Sequence, residues 1–486
     1  MSFKFAVLLF FCSLSGILAQ DPLDATIIIR GVSTMAETDE NFVCATIDWW
    51  PPQKCNYNHC PWGESSVLTL DVHHPFLAKA IQAFNPLRIR IGGSLQDQVV
   101  YGVGSSYPCL PFAQMAAGLF GFSKGCLSMD RWDELNLLFQ STGAIVTFGL
   151  NALRGRHKIG KGIWGGPWNA TNARNFIEYT ILKGYQVDSW EFGNELSGDG
   201  IGAKVGSEQY GKDLIHLKTL LDDLYKDSRS CPLLLAPGGF YDQQWYAKLL
   251  QFSGPNVVSA LTHHIYNLGP GSDPHLTRKI VDPHYLSRVA DTFREIQLTI
   301  QRHGPWASAW VGESGGAYNS GGHLCSTVAS TYGKGVLSID LSESPYLRAY
   351  AHCSKQKPGV SLLLINLSNS TTFSITVHND LNINKHTRRT ISKDDSFIHG
   401  LKKSVIWVGT KSSDGMVKRE EYHLTPKDGN LHSRTMLLNG SPLELTEDGD
   451  IPPMDPLLVP VDSPISVAAL SIAFVVLPDF EAHACL

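Results

Sequence analysis

Charge is scarce in this chain. Only 17% of its 486 residues are Asp, Glu, Lys or Arg, and the 40 basic and 45 acidic side chains nearly cancel to a net −5. No field of one sign covers the surface, which argues against a dedicated nucleic-acid binder. No glycine-rich GxGxxG turn follows the first apolar run, which disfavours a dinucleotide-binding sheet; a Ser-His-Asp hydrolase is the weaker alternative. Cys55 and Cys60 have no second pair at zinc-ligand spacing, and neither a metal nor a cofactor is expected. Apolar runs long enough to span a bilayer are also missing. The stretch 465–478 is too short and ends in Asp479 and Glu481, so it reads as a buried strand, with at most peripheral membrane association and a monomeric protein.

What the chain has is apolar bulk: 43% hydrophobic residues, 11 Trp and 44 Gly, enough for a large core with many loops and aromatic platforms. Residues 1–20, MSFKFAVLLFFCSLSGILAQ, have Lys4 ahead of an apolar run over 5–14 and small residues over 15–19. They read as a secretory signal cleaved near Ala19 or Gln20, giving a secreted protein of the apoplast or cell wall, or one of the vacuole or lysosome. Sequons at Asn169, Asn366, Asn369 and Asn439 agree with glycosylation in that pathway. Nine cysteines remain after Cys12 leaves with the signal. The odd number leaves at least one unpaired within the chain, and the pairing itself is open.

From residue 41 to 335, seven β-rich runs alternate with helical stretches: 41–50, 86–94, 144–152, 187–195, 232–240, 258–266 and 308–314. Each is apolar until its last residues, the look of parallel strands buried on both faces whose C-terminal ends open onto one mouth. Helices are predicted over 76–84, 129–142, 173–182, 207–227 and 285–303. The fold class is therefore α/β, a (β/α)8-type TIM barrel. From 336 to 486 shorter strands and turns such as SDG, KDGN and NGS predict an antiparallel β-sandwich, with 21–40 supplying a strand to it from the other end of the chain.

Two carboxylates end matching runs: Glu195 in WEFGNEL on the fourth and Glu313 in WVGESGG on the seventh. Either alone is compatible with a helix cap or a turn. Two at one barrel mouth, flanked by Trp190 and Trp310, form the pair that glycoside hydrolysis needs, one proton donor and one nucleophile or base. His263, His264 and Tyr266 close the sixth run and read as hydrogen-bonding support for Glu313.

WEFGNEL, THHIY and WVGESGGAYNSGG, together with LRIRIGGS and RAYAHCSKQ, resemble the heparanase-like proteins of glycoside hydrolase family 79, on the side of the plant members related to baicalin β-glucuronidase. The likeness covers nearly the whole mature chain. It implies a retaining β-glucuronidase acting on glucuronic-acid-containing glycans or glucuronides, with Glu195 as acid/base and Glu313 as nucleophile. It further implies that Asn194 holds the sugar 2-hydroxyl, Tyr266 orients Glu313, His264 supports the sugar site and Asp48 meets another hydroxyl. Tyr318 and the backbone N–H groups of 318–322, Gly321 among them, are implied to hold the substrate carboxylate.

One departure from the family stands beside the nucleophile. Between Gly322 and Gly335 only HLCSTVASTYGK remains, twelve residues where family members carry a helix, the eighth strand and a further helix, a unit that needs about 30 residues or more. The barrel is expected to lack its eighth βα unit and to expose two edges. A carbohydrate-binding relative with weak or no catalysis is the competing function. Basic clusters at Arg154, Arg156, His157, Lys158 and Lys161, and at Lys385, Arg388 and Arg389, are candidates for meeting an acidic glycan. Trp49, Trp50, Trp164 and Trp168 are candidates for stacking on sugars or aglycones.

Overall fold

The computed structural model describes residues 21–485 except 105–107, 320–331, 342–343, 356 and 381–416. The expected signal, the predicted strand at 404–410, Lys385, Arg388, Arg389, Ser320, Gly321, Gly322 and most of the twelve-residue junction lie outside these residues. The seven predicted parallel strands are Cys44–Ile47, Arg88–Ile91, Ile145–Leu150, Ser189–Phe192, Leu233–Phe240, Ala260–Ile265 and Ser308–Ser314, called the first to seventh barrel strands below. Each pairs in parallel with its neighbour in sequence, so the sheet runs from the seventh to the first without a crossover. A helix lies between each successive pair, and the result is a nearly closed parallel barrel. Among the described residues no eighth strand pairs with the seventh or the first.

The helices start and stop where chemistry dictates. Met129–Thr142 is capped by the Ser128 hydroxyl, which accepts from the Arg131 N–H, and ends at Gly143 with φ 71°. The helix Gln243–Ser253, absent from the sequence-based prediction, has the same punctuation: the Asp242 carboxylate accepts from Trp245 N–H, and Gly254 follows. The predicted helix at 285–303 is broken into Pro283–Ser287 and Val289–His303. Strand residues alternate between two environments. Phe148 and Trp190 face the helices, where Trp132 and Phe176 pack on them with ring centroids 5.1 and 6.0 Å apart respectively. Their strand neighbours Thr147, Ser189 and Glu191 are also fully buried, so polar groups fill the barrel interior.

The C-terminal strands form a largely antiparallel sheet of 11 strands separate from the barrel, and its end strand Ile465–Val467 also meets Gly359–Asn366 and Ser471–Pro478. Leu23–Glu37 lies inside it, antiparallel to Tyr332–Asp340 and parallel to Phe373–Asn379. The stretch read as one buried strand at 465–478 is two, Ile465–Val467 and Ser471–Pro478, pairing with different partners; Leu470, at φ 51°, turns the chain between them. Disulfides join Cys55 to Cys60, Cys109 to Cys126 and Cys353 to Cys485, and Cys44 and Cys231 are free. No helix among the described residues is long and apolar enough to cross a membrane.

Two sequons conflict with this packing. Asn366 is 2% exposed and its amide donates to the carbonyls of Thr371, Val467 and Ala468. Asn439 donates to Glu421 and Asp455 carbonyls and accepts from His423 N–H. An amide nitrogen used in this way is not available to a glycan, whereas Asn169 and Asn369 are exposed. Glycopeptide mass spectrometry of protein from a secretory host is expected to find glycans at Asn169 and Asn369 and none at Asn366; a glycosylated Asn366 would contradict the packing.

Candidate active site

The barrel interior is built in charged layers. Lowest lies Arg88 of the second strand, whose guanidinium donates to Asp188 and Thr147 and sits 4.7 Å from the ring centre of Trp310. One layer up, Arg90 is 3% exposed and uses each guanidinium nitrogen: Nε donates to Glu191 at 2.7 Å, one terminal nitrogen to Glu313 at 3.2 Å and the other to Asn194 Oδ1 at 2.8 Å. Arg90 and Glu191 are functional residues that the sequence reading missed. The signal was present, since LRIRIGGS puts two arginines at alternating positions of a run otherwise apolar enough to be fully buried, and a buried Arg demands carboxylate partners.

Above this layer the two carboxylates meet. Glu195 follows the fourth strand at φ 54°, an uncommon backbone state for a residue with a side chain. It is held there by its N–H donating to Gly238 O at 2.7 Å and by Asp97, whose two carboxylate oxygens accept from Ala152 and Asn194 N–H. Burial pushes Asp97 up to about 7, against the lowering effect of those two donors. Glu313 reaches the mouth through a register shift: His263 pairs with Val311, but His264 pairs with Glu313. The extra residue is Gly312, and without the bulge strict alternation would point Glu313 out of the barrel.

Oxygens of Glu195 and Glu313 and a ring nitrogen of His264 all lie within 4.8 Å of one another. His264 Nδ1 is 3.1 Å from Glu195 and 3.6 Å from Glu313, so its nearer partner is Glu195 and not Glu313. His263 points the other way, with Nδ1 at 3.0 Å from Trp310 O and its ring against Phe293. Alternation along the strand separates the two histidines, and His263 is no part of the site. Tyr266 donates to Glu313 at 2.5 Å. Burial alone would raise Glu313, but His264, Arg90 and the Tyr266 hydroxyl together hold it below the usual carboxylate range. Three ligand atoms this close could suit a cation. Here, however, both Glu313 oxygens already accept from Arg90 and Tyr266, and the guanidinium opposes a metal ion electrostatically.

A cleft of about 770 Å³ opens over this pair, lined among others by Asp48, Trp50, Trp62, Phe240, Tyr318 and Asn319. Asp48 follows the first strand, accepts from Trp49 N–H at 2.6 Å and packs against Gly93, where a Cβ would stand 2.3 Å from its carboxyl. Burial, with Glu313 nearby, pushes its pKa well above the ordinary carboxylate range. Tyr318 is exposed and packs edge-on to Tyr266 at 6.3 Å. Asn194 lies beneath, with Arg90 on its oxygen. The structure thus brings Asp48, Asn194, Glu195, His264, Tyr266, Glu313 and Tyr318 together, while Gly321 is outside the described residues.

Other candidates lie elsewhere. Trp49 and Trp168 are buried in the barrel core, so neither is free to stack on a sugar. Arg156 is spent on Asp213 at 2.5 Å and on the carbonyls of Ala152 and Gly166, which removes it from any glycan-facing patch. Trp164 is half-buried with the Lys158 ammonium 5.7 Å over its ring.

Comparison with known proteins agrees with this geometry. The family model described as "Glycosyl hydrolase family 79, N-terminal domain" matches residues 24–335. Heparanase-like protein 1 of Arabidopsis thaliana is 53% identical over 96% of each chain. Baicalin-beta-D-glucuronidase of Scutellaria baicalensis is 35% identical over 97% of this chain and 94% of its own. In fold, the chain is similar to a GH51 arabinofuranosidase from Xanthomonas axonopodis pv. citri, with a TM-score of 0.56 at 13% identity over 93% of this chain and 99% of that one.

Proposed function

Because the chain belongs to glycosyl hydrolase family 79, a family of enzymes acting on O-glycosyl bonds, we propose that it is a retaining β-glucuronidase for glucuronides or glucuronic-acid-containing glycans. The observation that carries this reading is the approach of the Glu195 and Glu313 oxygens to within 4.8 Å. Retention goes with carboxyl groups about 5 to 5.5 Å apart, whereas inversion needs about 6.5 to 9.5 Å to admit a water between sugar and base. Glu313, kept ionised, attacks the anomeric carbon. Glu195 gives its proton to the departing oxygen and later takes one from the water that releases the sugar. Asp48 serves a ring hydroxyl, Asn194 serves the 2-hydroxyl, and Tyr318 offers its hydroxyl to a sugar carboxylate.

The glucuronide preference draws support from the 35% identical baicalin-beta-D-glucuronidase. Residence outside the cytosol, secreted or in a vacuole or lysosome, draws support from three disulfides. Proton NMR of an aryl β-glucuronide digest tests the mechanism: the β-anomer of glucuronic acid is expected first. The α-anomer appearing first would assign Glu313 to a base and overturn the double displacement.

A second reading, a glycan-binding relative with little catalysis, is favoured by two observations. No strand covers the outer edge of the seventh barrel strand among the described residues. The alignment with Heparanase-like protein 1 runs over 524 positions, more than the 486 residues available here, so that relative carries stretches this chain lacks. Binding of acidic oligosaccharide without turnover is its expected signature.

A further inference from the structure

The cleft over the two glutamates has unlike sides. Beside the nucleophile its lining is polar, with Ser314, Tyr318 and Asn319 following Glu313 in the chain. Beside the acid it is apolar. The Ile201 N–H donates to the Glu195 carbonyl at 3.1 Å, which fixes this isoleucine next to the proton donor, and Ile201 is 45% exposed. Phe240 ends the fifth barrel strand two residues beyond Gly238, whose carbonyl takes the Glu195 N–H, and it is 38% exposed. Both line the cleft. Around the mouth the order is Phe240 on the fifth strand, Tyr266 after the sixth and Tyr318 after the seventh, with ring centres 6.3 Å apart at each step.

The Ile201 loop is braced from behind. Gly202, at φ 82°, passes so close to Phe120 that a Cβ there would stand 2.9 Å from the ring. Phe120 in turn packs edge-on against Trp50 with centroids 5.9 Å apart, and Trp50 also lines the cleft.

Apolar side chains left exposed at the mouth of a site are places where the apolar surface of a ligand is covered. Glu195 protonates the oxygen that joins the sugar to its leaving group, so whatever is attached to that oxygen lies against Ile201 and Phe240. A pyranose there would set hydroxyls against two side chains with no donor or acceptor. A further uronate or sulfate would meet no Lys or Arg lining the cleft among the described residues. A flat aromatic ring makes neither demand and stacks on Phe240.

We infer that Ile201 and Phe240 form the leaving-group subsite and select glucuronides of flat aromatic alcohols over glucuronic-acid-containing glycans. This rests on the glucuronidase reading for the sugar, and it sharpens that reading by choosing between its two substrate classes.

The Glu313→Gln protein, which does not consume its ligand, is titrated calorimetrically with 4-methylumbelliferyl β-D-glucuronide, methyl β-D-glucuronide and a hyaluronan tetrasaccharide ending in glucuronic acid. The aryl glucuronide is expected to bind about tenfold or more tighter than either of the others. Adding Phe240→Ala is expected to remove most of that advantage, and adding Ile201→Ala about threefold of it. Affinity for the methyl glucuronide should stay within about twofold in both. In the enzyme with Glu313 intact, Phe240→Ala should raise KM for the aryl glucuronide and leave both limbs of the pH profile in place, which a displaced Glu195 would shift. If the wild type hydrolyses no glucuronide but the aryl preference and its loss in Phe240→Ala hold, the hydrolase reading falls and the subsite stands. A tetrasaccharide that binds as tightly as the aryl glucuronide overturns the selection. An aryl-to-methyl ratio unchanged by Phe240→Ala and Ile201→Ala overturns the subsite, as does an aryl glucuronide that does not bind.

Discussion

Glu313→Gln is expected to lower kcat on an aryl β-glucuronide by at least about a thousandfold, because the amide removes the attacking oxygen anion while leaving the fold intact. The residue sits on a bulge, lines the cleft and keeps its Tyr266 and Arg90 neighbours when changed to an isostere. Thermal unfolding of the variant should therefore stay close to that of the wild type. The pH profile gives a second test on the unmodified protein. Glu313 is held below the usual carboxylate range by His264, Arg90 and Tyr266 against the raising effect of burial, so it loses its charge at lower pH than an unperturbed Glu does. The acid limb of kcat/KM is expected below the pH at which an unperturbed Glu titrates. Turnover within tenfold of wild type for Glu313→Gln would remove it from the nucleophile's role.

Replacing Arg90 with Met is expected to damage stability and catalysis together. Glu191 is fully buried and Arg90 is its ion-pair partner at 2.7 Å; stripping one member of such a pair typically costs about 3 to 5 kcal/mol, because the other charge stays buried alone. The same substitution takes a cation from Glu313. With that lowering influence gone and burial still acting, the Glu313 pKa rises, and the acid limb of activity should move to higher pH. Urea unfolding measures the first effect and the pH profile the second. The double variant Arg90→Met/Glu191→Met separates them, since it should recover much of the stability without restoring the low acid limb. A single Arg90→Met that unfolds at the wild-type urea midpoint would show that the pair is not the clamp described here.

All seven barrel strands are legible in the sequence because each is a short apolar run closed by polar residues, a pattern set by burial on both faces. The helix Gln243–Ser253 escaped that reading although Asp242 and Gly254 mark its ends; the cap and the stop are as informative there as the strand pattern. The strand pairing of the C-terminal half was not legible for a different reason. Alternation and turns specify strands, whereas which strand edge meets which is fixed by long-range pairing, such as that of Leu23–Glu37 with Phe373–Asn379. Glu195 and Glu313 were visible as polar ends of apolar runs. Their support was less so: a one-residue bulge at Gly312 has no period to read, and the His264 to Glu195 contact depends on where facing strands stop.

The strand Leu23–Glu37 has a consequence for the order in which the protein is made. Its antiparallel partner begins at Tyr332, about 300 residues later, which at 5 to 20 residues per second means roughly 15 to 60 s of synthesis. Throughout that interval a strand containing Ile27 and Ile29, both fully buried in the finished protein, has no edge to join, while the barrel strands between them can already pair with one another. The barrel is thus free to form as its strands emerge. The C-terminal sheet closes only when Leu23–Glu37 meets the strands that follow the barrel, and the Cys353–Cys485 bond cannot form until Cys485 has been added.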